Sequence, residues 1–206
     1  MFDCDDQTGL AEFCRSFALE AEARRALIVD VRGNAGGHVS ALVLARLMQR
    51  PLAHDVPRHG APTKWPAGAA PPGGAVLLVD EHTSSDGDVL AWAFQRLQLG
   101  SVVGQRTWGG VDGISNTHAL VDGTVVAQAS ERWQTLPTQP GETPAVLENR
   151  GVEPDVSVPF APHAFGAGAD PQLSRALQEA LQQLKRGLES GSLLPQSFLH
   201  LVEDAN

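Results

Sequence analysis

Three short apolar runs constrain this chain most: "ALIVDVR" (26–32), "AVLLVD" (75–80) and "SVVGQRT" (101–107). "AVLLVD" reads as a buried strand, "ALIVDVR" as a strand ending in a glycine turn and "SVVGQRT" as the next strand. Helix-period segments separate them. "HVSALVLARLMQR" (38–50) follows the first run and is stopped by Pro51, and residues 85–98 follow the second and end at Gly100. Strand and helix in alternation predict an α/β fold with a largely parallel sheet.

Further elements flank this core. Leu10, Phe13, Cys14, Phe17 and Ala21 recur at helical spacing, with Thr8 placed to cap. Leu173, Leu177, Leu181, Leu184 and Leu188 line one face of a late helix. "THALVDGTVVAQAS" (117–130) carries "DG" between alternating runs and predicts a β-hairpin. Residues 51–74 and 133–150, rich in Pro and Gly, read as loops.

Composition removes several classes of function. The 206 residues, 42% hydrophobic, suffice for one sizeable core. The net charge of −9 has no basic block to offset it, which argues against nucleic acid as a partner. No apolar run approaches the roughly 20 residues of a membrane span. The start, "MFDCDDQTG", lacks the basic and apolar regions of a signal peptide. Cys4 and Cys14 form neither a disulfide framework nor a metal spacing, so a reducing, cytoplasmic setting is expected. With no HExxH and no paired CxxC, no metal site is expected.

In α/β folds chemistry gathers where strands give way to helices. Two such junctions stand out, "RGNAGGH" (32–38) and "DEHTSSDGD" (80–88). The first is not a dinucleotide loop, because its glycines fall at 33, 36 and 37 rather than in the GxGxxG frame. It reads either as a tight glycine turn or as a source of backbone amides for a developing oxyanion. In the second, Ser85 and Asp88 could form a capping box, or one serine could be a nucleophile.

The ordered series "LIVDVRGNAGGHVSALVLARLM", "LLVDEHTSSDGDVLAWAFQRLQLGSVVGQRTWGG", "LVDGTVV" and "LENRGVEPDVSVPFAPHAF" resembles the C-terminal catalytic half of the tricorn proteases. These belong to the clan of tail-specific, C-terminal processing serine peptidases. The resemblance implies a crotonase/ClpP-like βα superhelix with flanking N- and C-terminal helices. It implies a catalytic core lobe over residues 1–165 and a C-terminal helix and tail packed on it over 166–206. It also implies roles: Ser85 as nucleophile, ahead of Ser84; the amides of Gly37 and Asp86 as oxyanion hole; Glu148 as orienting acid. Asp55 would favour basic side chains before the scissile bond, reaching in from a neighbouring subunit of a homo-oligomer. Peptides are the implied substrates, and no cofactor is implied.

Two departures qualify the resemblance. The Ser–Lys branch of the clan carries its lysine where this chain has Gly110, and the only lysines are Lys64 and Lys185. In the tricorn branch the base is a histidine from an upstream lobe, and nothing here matches that lobe. His38, His54, His59, His82, His118, His163 and His200 all fall outside the family's base position. The chain therefore reads as part of a larger protease, completed by an upstream catalytic lobe, or as a truncated relative. Two other classes are a crotonase-like acyl-CoA enzyme and a catalytically inactive peptide-binding or assembly module.

Overall fold

The computed structural model describes residues 7–20, 24–137, 141 and 143–189. A four-stranded, wholly parallel sheet runs in the order β1-β4-β5-β8, from β1 (Leu27–Asp30), β4 (Ala75–Val79), β5 (Gly100–Gly104) and β8 (Val156–Ser157). The expected α/β architecture is thus present. Each βα turn steps across the sheet in the same direction, so the chain winds as a superhelix.

The sheet has helices on both faces, and β4 shows why its sequence is uniformly apolar. Leu77 and Val79 join a core with Val43, Leu44 and Leu47 of α2 (Ser40–Met48), Leu90 and Phe94 of α3 (Asp86–Arg96) and Phe17 of α1 (Gln7–Glu20). Val76 and Leu78 point the other way, onto Ala176 and Ala180 of α5 (Pro171–Glu189). Alternate side chains of one strand therefore anchor two layers. Each fully buried Leu or Val contributes about 1.5–3 kcal/mol.

Some local expectations need correction. α1 begins at Gln7, so Thr8 lies inside the helix rather than capping it. Ala21 and His200 lie outside the described residues, as do Cys4 and the end of the 166–206 unit. Within 51–74, read as loop, β2 (Ala53–Asp55) and β3 (Thr63–Trp65) form a short antiparallel hairpin. The hairpin centred on "DG" forms as β6 (Gly113–Ala119) and β7 (Val125–Glu131). Its turn places Gly123 at φ 83°, a conformation glycine adopts without steric cost. The leucine stripe of α5 does not face the sheet: Leu173, Leu177, Leu181 and Leu188 are exposed, and only Leu184 turns inward, towards Gly73. A short helix, α4 (Pro162–Gly166), precedes α5. Among the described residues no helix is long and apolar enough to cross a membrane, and no group of His, Cys, Asp and Glu is arranged to hold a metal ion.

Candidate active site

Because β1, β4 and β5 are parallel neighbours, the loops leaving their C-terminal ends meet. These are residues 31–39, 80–85 and 105–112. The first two junctions are bonded directly: the Ser84 amide donates to the Asn34 carbonyl at 2.9 Å. Buried Thr83 bonds the Val31 carbonyl and Asp80, and Asp80 accepts the Gly33 amide at 2.9 Å.

Ser85 ends this turn in an unusual state. Its φ is 55° with ψ −118°, a region a residue with a Cβ enters only at a cost of about 1–3 kcal/mol. It precedes α3, yet its side chain makes no capping hydrogen bond, so the Ser85–Asp88 capping box does not form through the serine hydroxyl. The Ser85 side chain lies against Gly36, where an added Cβ would stand 2.6 Å from the Ser85 Cβ and 3.1 Å from its Oγ. Gly36 itself has φ 114°. Backbone conformation and space both require glycine there. Ser84, by contrast, is buried at 8% exposure.

The two glycine amides of the first junction are used differently. The Gly36 N–H donates to Asn34 Oδ1 at 2.8 Å. The Gly37 N–H donates to no described residue, and neither does the amide of Asp86, the first residue of α3, whose position leaves it without an intrahelical acceptor. The Asp86 side chain is committed elsewhere: its Oδ2 accepts the Val39 and Ser40 amides, each at 2.8 Å, and its Oδ1 accepts the Ser40 hydroxyl. It thereby caps α2, a role no local spacing in the sequence reveals.

Asp88 lies in the first turn of α3 with no solvent exposure. Its Oδ1 accepts the Gly109 amide at 2.9 Å, and its Oδ2 has no hydrogen-bond partner. Burial pushes this carboxyl up from the ordinary Asp value, against the opposing pull of Thr107 and Gly109.

The motifs "RTWGG" and "ENRGVEPD" prove to be one unit. Thr107 and Val152 bond each other in both directions, and the Asn149 amide donates to the Gly109 carbonyl at 2.7 Å. A Cβ on Gly109 would stand 2.5 Å from the Gly151 nitrogen, and one on Gly151 would strike the Thr107 carbonyl. Glu148 closes this unit: its Oε2 accepts the Val111 amide at 2.7 Å and the Asp112 amide at 2.9 Å. The Asp112 and Val111 amides hold the Glu148 carboxyl below its usual range. At position 110 a side chain would run into the Trp108 ring.

The structure thus brings Gly36, Ser84, Ser85 and Asp86 together and links them through Asp88 and Gly109 to the loop of Glu148. Asp55 stands on the exposed β2–β3 hairpin, and none of its described bonds reaches the Ser85 turn. His82 and His38 are exposed, and no described histidine ring bonds Ser85 Oγ. Trp133 packs edge-on against Trp92 of α3 at 5.2 Å. A cavity of about 830 Å³ is lined by residues of the first junction and of α3, among them Asn34, Gly36, Asp86 and Gly87, together with Phe17 and Val29. Ser85 does not line it.

Comparison with known proteins gives this geometry its family. Residues 2–158 match the model of peptidase family S41. The chain is 38% identical over 188 residues to the tricorn protease of Thermoplasma acidophilum, covering 91% of this chain and 17% of that protein. It is 43% identical over 177 residues to tricorn protease homolog 1 of Streptomyces coelicolor, covering 86% of this chain and 16% of that protein. The chain thus spans about a sixth of the length of these curated relatives. A crystal structure of the tricorn protease superposes with a TM-score of 0.79 at 37% identity, over 89% of this chain and 17% of that one. The chain belongs to peptidase family S41, and within that family it resembles the tricorn proteases.

Proposed function

We propose that this chain is the nucleophile-bearing core of a serine peptidase. One observation carries the reading: Ser85 is held at φ 55° at the head of α3 with its hydroxyl uncommitted. A capping serine would sit in a relaxed conformation and bond the helix amides. A strained strand-to-helix turn that presents an unbonded hydroxyl is what a nucleophilic serine needs.

The chemistry follows from the groups around it. Ser85 Oγ attacks a peptide carbonyl carbon and its proton passes to a histidine. The carbonyl oxygen becomes an oxyanion and rests on the Gly37 and Asp86 amides, which are uncommitted and lie at adjacent junctions. The C–N bond breaks as the amine takes the proton, and water then hydrolyses the acyl-enzyme. Glu148, ionised and fixed by two amides, serves to orient the catalytic group. The histidine comes from an upstream lobe of the same parent protein. Residues 1–165 form the core lobe and 166–206 the helix and tail upon it. The parent is a cytoplasmic homo-oligomer acting on peptides, and Asp55 reaches a neighbouring subunit's cleft to favour Lys or Arg before the cleaved bond.

Among the described residues no histidine bonds Ser85, which favours one second reading, an inactive peptide-binding module that keeps the old cleft. A phosphonate probe separates the two. Slow labelling mapped to Ser85, abolished by Ser85→Ala and retained in Ser84→Ala, supports the peptidase. No adduct at high probe concentration, or an adduct on Ser84, overturns it.

A further inference from the structure

Asp88 is the buried acid that the proposed reaction leaves unused. It has no solvent exposure and sits in the first turn of α3, three residues after Ser85 at the N-cap. Its Oδ1 takes the Gly109 amide at 2.9 Å. Its Oδ2 is the one buried side-chain oxygen or nitrogen without a hydrogen bond among the described residues. Keeping a buried carboxylate oxygen without a donor is unfavourable, so its place beside the serine turn calls for a reason.

The Ser85 amide supplies one. It bonds no described carbonyl. Burial pushes the Asp88 carboxyl up, and the Thr107 hydroxyl, the Gly109 amide and the Ser85 amide pull against that push. An acid at the third helical position that reaches back to the N-cap amide is one half of a capping box. The other half, a serine hydroxyl bonded to a helix amide, is absent here. The two halves differ in consequence. The hydroxyl arm would consume Ser85 Oγ, whereas the acid arm fixes the serine backbone and leaves Oγ free.

Ser85 needs such a hold, because φ 55° with ψ −118° persists only where the surroundings over-determine it. Resting on the peptidase reading, we propose that Asp88 is the positioning residue of the nucleophile: one carboxylate oxygen holds the Gly109 amide, the other holds the Ser85 amide, and the serine turn stays strained with its hydroxyl uncommitted. The same carboxylate sets where Glu148 stands. The Gly109 carbonyl takes the amide of Asn149, the next residue along, at 2.7 Å, and the Trp108 amide donates to the Thr83 carbonyl at 2.9 Å. Asp88 thus lies at the crossing of the serine turn and the Glu148 loop.

Two measurements on the whole chain test this. Amide hydrogen exchange reads the hold directly. The Ser85 and Gly109 amides should be protected. Asp88→Asn keeps one acceptor oxygen and turns an amide nitrogen towards the second N–H, so it should release one of the two while Val76–Val79 stay protected. Phosphonate labelling reads the consequence. Asp88→Asn should lower the maximal labelling rate of Ser85 by about tenfold or more, with the half-saturating probe concentration unchanged, because the nucleophile is misplaced and the cleft is not. Val103→Ala is the control. It truncates the sheet face that meets α5, so it destabilises the fold but should leave the labelling rate of folded protein unchanged. A Ser85 amide unprotected in the unsubstituted chain overturns the proposal, as does protection of both amides that survives Asp88→Asn. A labelling rate in Asp88→Asn that falls no further than in Val103→Ala also overturns it. If the unsubstituted chain takes no label, the peptidase reading fails, and the exchange result alone decides whether Asp88 holds the serine turn.

Discussion

Asp86 begins one helix and caps another: its carboxylate takes the amide of Ser40 at 2.8 Å and the Ser40 hydroxyl, together with the Val39 amide at 2.8 Å. A carboxylate at the N-terminus of α2 satisfies orphan amides and opposes the helix dipole. Asp86→Ala should therefore lower stability by about 2–3 kcal/mol, since charge-assisted bonds contribute about 1.5–3 kcal/mol. Ser40→Ala should cost about 1 kcal/mol. Urea unfolding measures both, and a loss under about 0.5 kcal/mol for Asp86→Ala would mean that the cap adds little.

Gly36 should tolerate no side chain. Alanine there meets the Ser85 Cβ at 2.6 Å and must hold φ 114°. The strain alone is about 1–3 kcal/mol, and overpacking adds a similar amount. Gly36→Ala is expected to displace Ser85, so phosphonate labelling should fall alongside the urea midpoint. Gly33, with nothing near its Cβ but φ 68°, should cost only about 1 kcal/mol as alanine and leave labelling intact.

Asp88 and Glu148 should give stability opposite pH slopes. The Asp88 carboxyl is raised in the folded state, which then binds the proton more tightly than the unfolded chain. Its contribution is complete below the ordinary Asp range and is lost as pH rises through the folded value. Glu148 is lowered, so its contribution is present above the ordinary Glu range and is lost as pH falls through the folded value. In urea unfolding across pH 2–8, Asp88→Asn should remove the decline on the rising side and Glu148→Gln part of the loss on the acid side. Asp88→Ala should cost about 1–3 kcal/mol throughout, because it strands the Gly109 amide.

Arg32 ties the first junction to α5. Its guanidinium bonds Asp30 at 2.7 Å, Asp170 at 2.9 Å and Gln172 at 3.1 Å, with 15% of its side chain exposed. Bonding to Asp30 raises the arginine further, and although burial of Asp170 acts the other way, Arg32 holds that carboxyl low. Arg32→Ala leaves two carboxylates facing each other and should cost about 2–4 kcal/mol. Arg32→Lys should recover less than half, since an ammonium cannot match the planar fork. Full recovery by lysine would show that charge alone suffices.

Catalytic turnover by this chain alone should be very low. A triad that lacks its base keeps only what the oxyanion hole and binding provide. Steady peptide cleavage that Ser85→Ala abolishes would point to a local base such as His82. In an active parent protein, Asp55→Ala should erase a preference for Lys or Arg before the cut. An unchanged ratio of basic to apolar cleavage would remove Asp55 from specificity.

Much of this was legible before any coordinates. The unbroken apolar run at 75–79 demands burial on two faces, and β4 has it. "DG" set the β6–β7 turn. What stayed hidden depends on partners distant in sequence. The three-residue strands at 53–55 and 63–65 are mostly exposed and flanked by prolines, so no pattern marks them. Periodicity showed that α5 has an apolar face but not which face the sheet covers, and small Ala176 and Ala180 take that place because they allow close approach. Ser85 and Asp88 have capping spacing, yet Asp88 is claimed by Gly109 and Asp86 by Ser40, across 21 and 46 positions. The family resemblance named Ser85, Gly37 and Glu148. The backbone angle at Ser85 and the uncommitted amide of Gly37 are physical grounds that the sequence alone lacked.

The bonds between the two junctions also set how the molecule comes apart. Ser84 is tied to Asn34, Asp86 to Ser40 and Thr83 to Val31, so opening either loop breaks bonds that hold the other. Residues 31–40 and 80–87 are therefore expected to open together, as neighbouring amide-exchange protection would show. The Ser85 turn and the glycine turn thus share their supports, and a substitution that loosens one is expected to loosen the other.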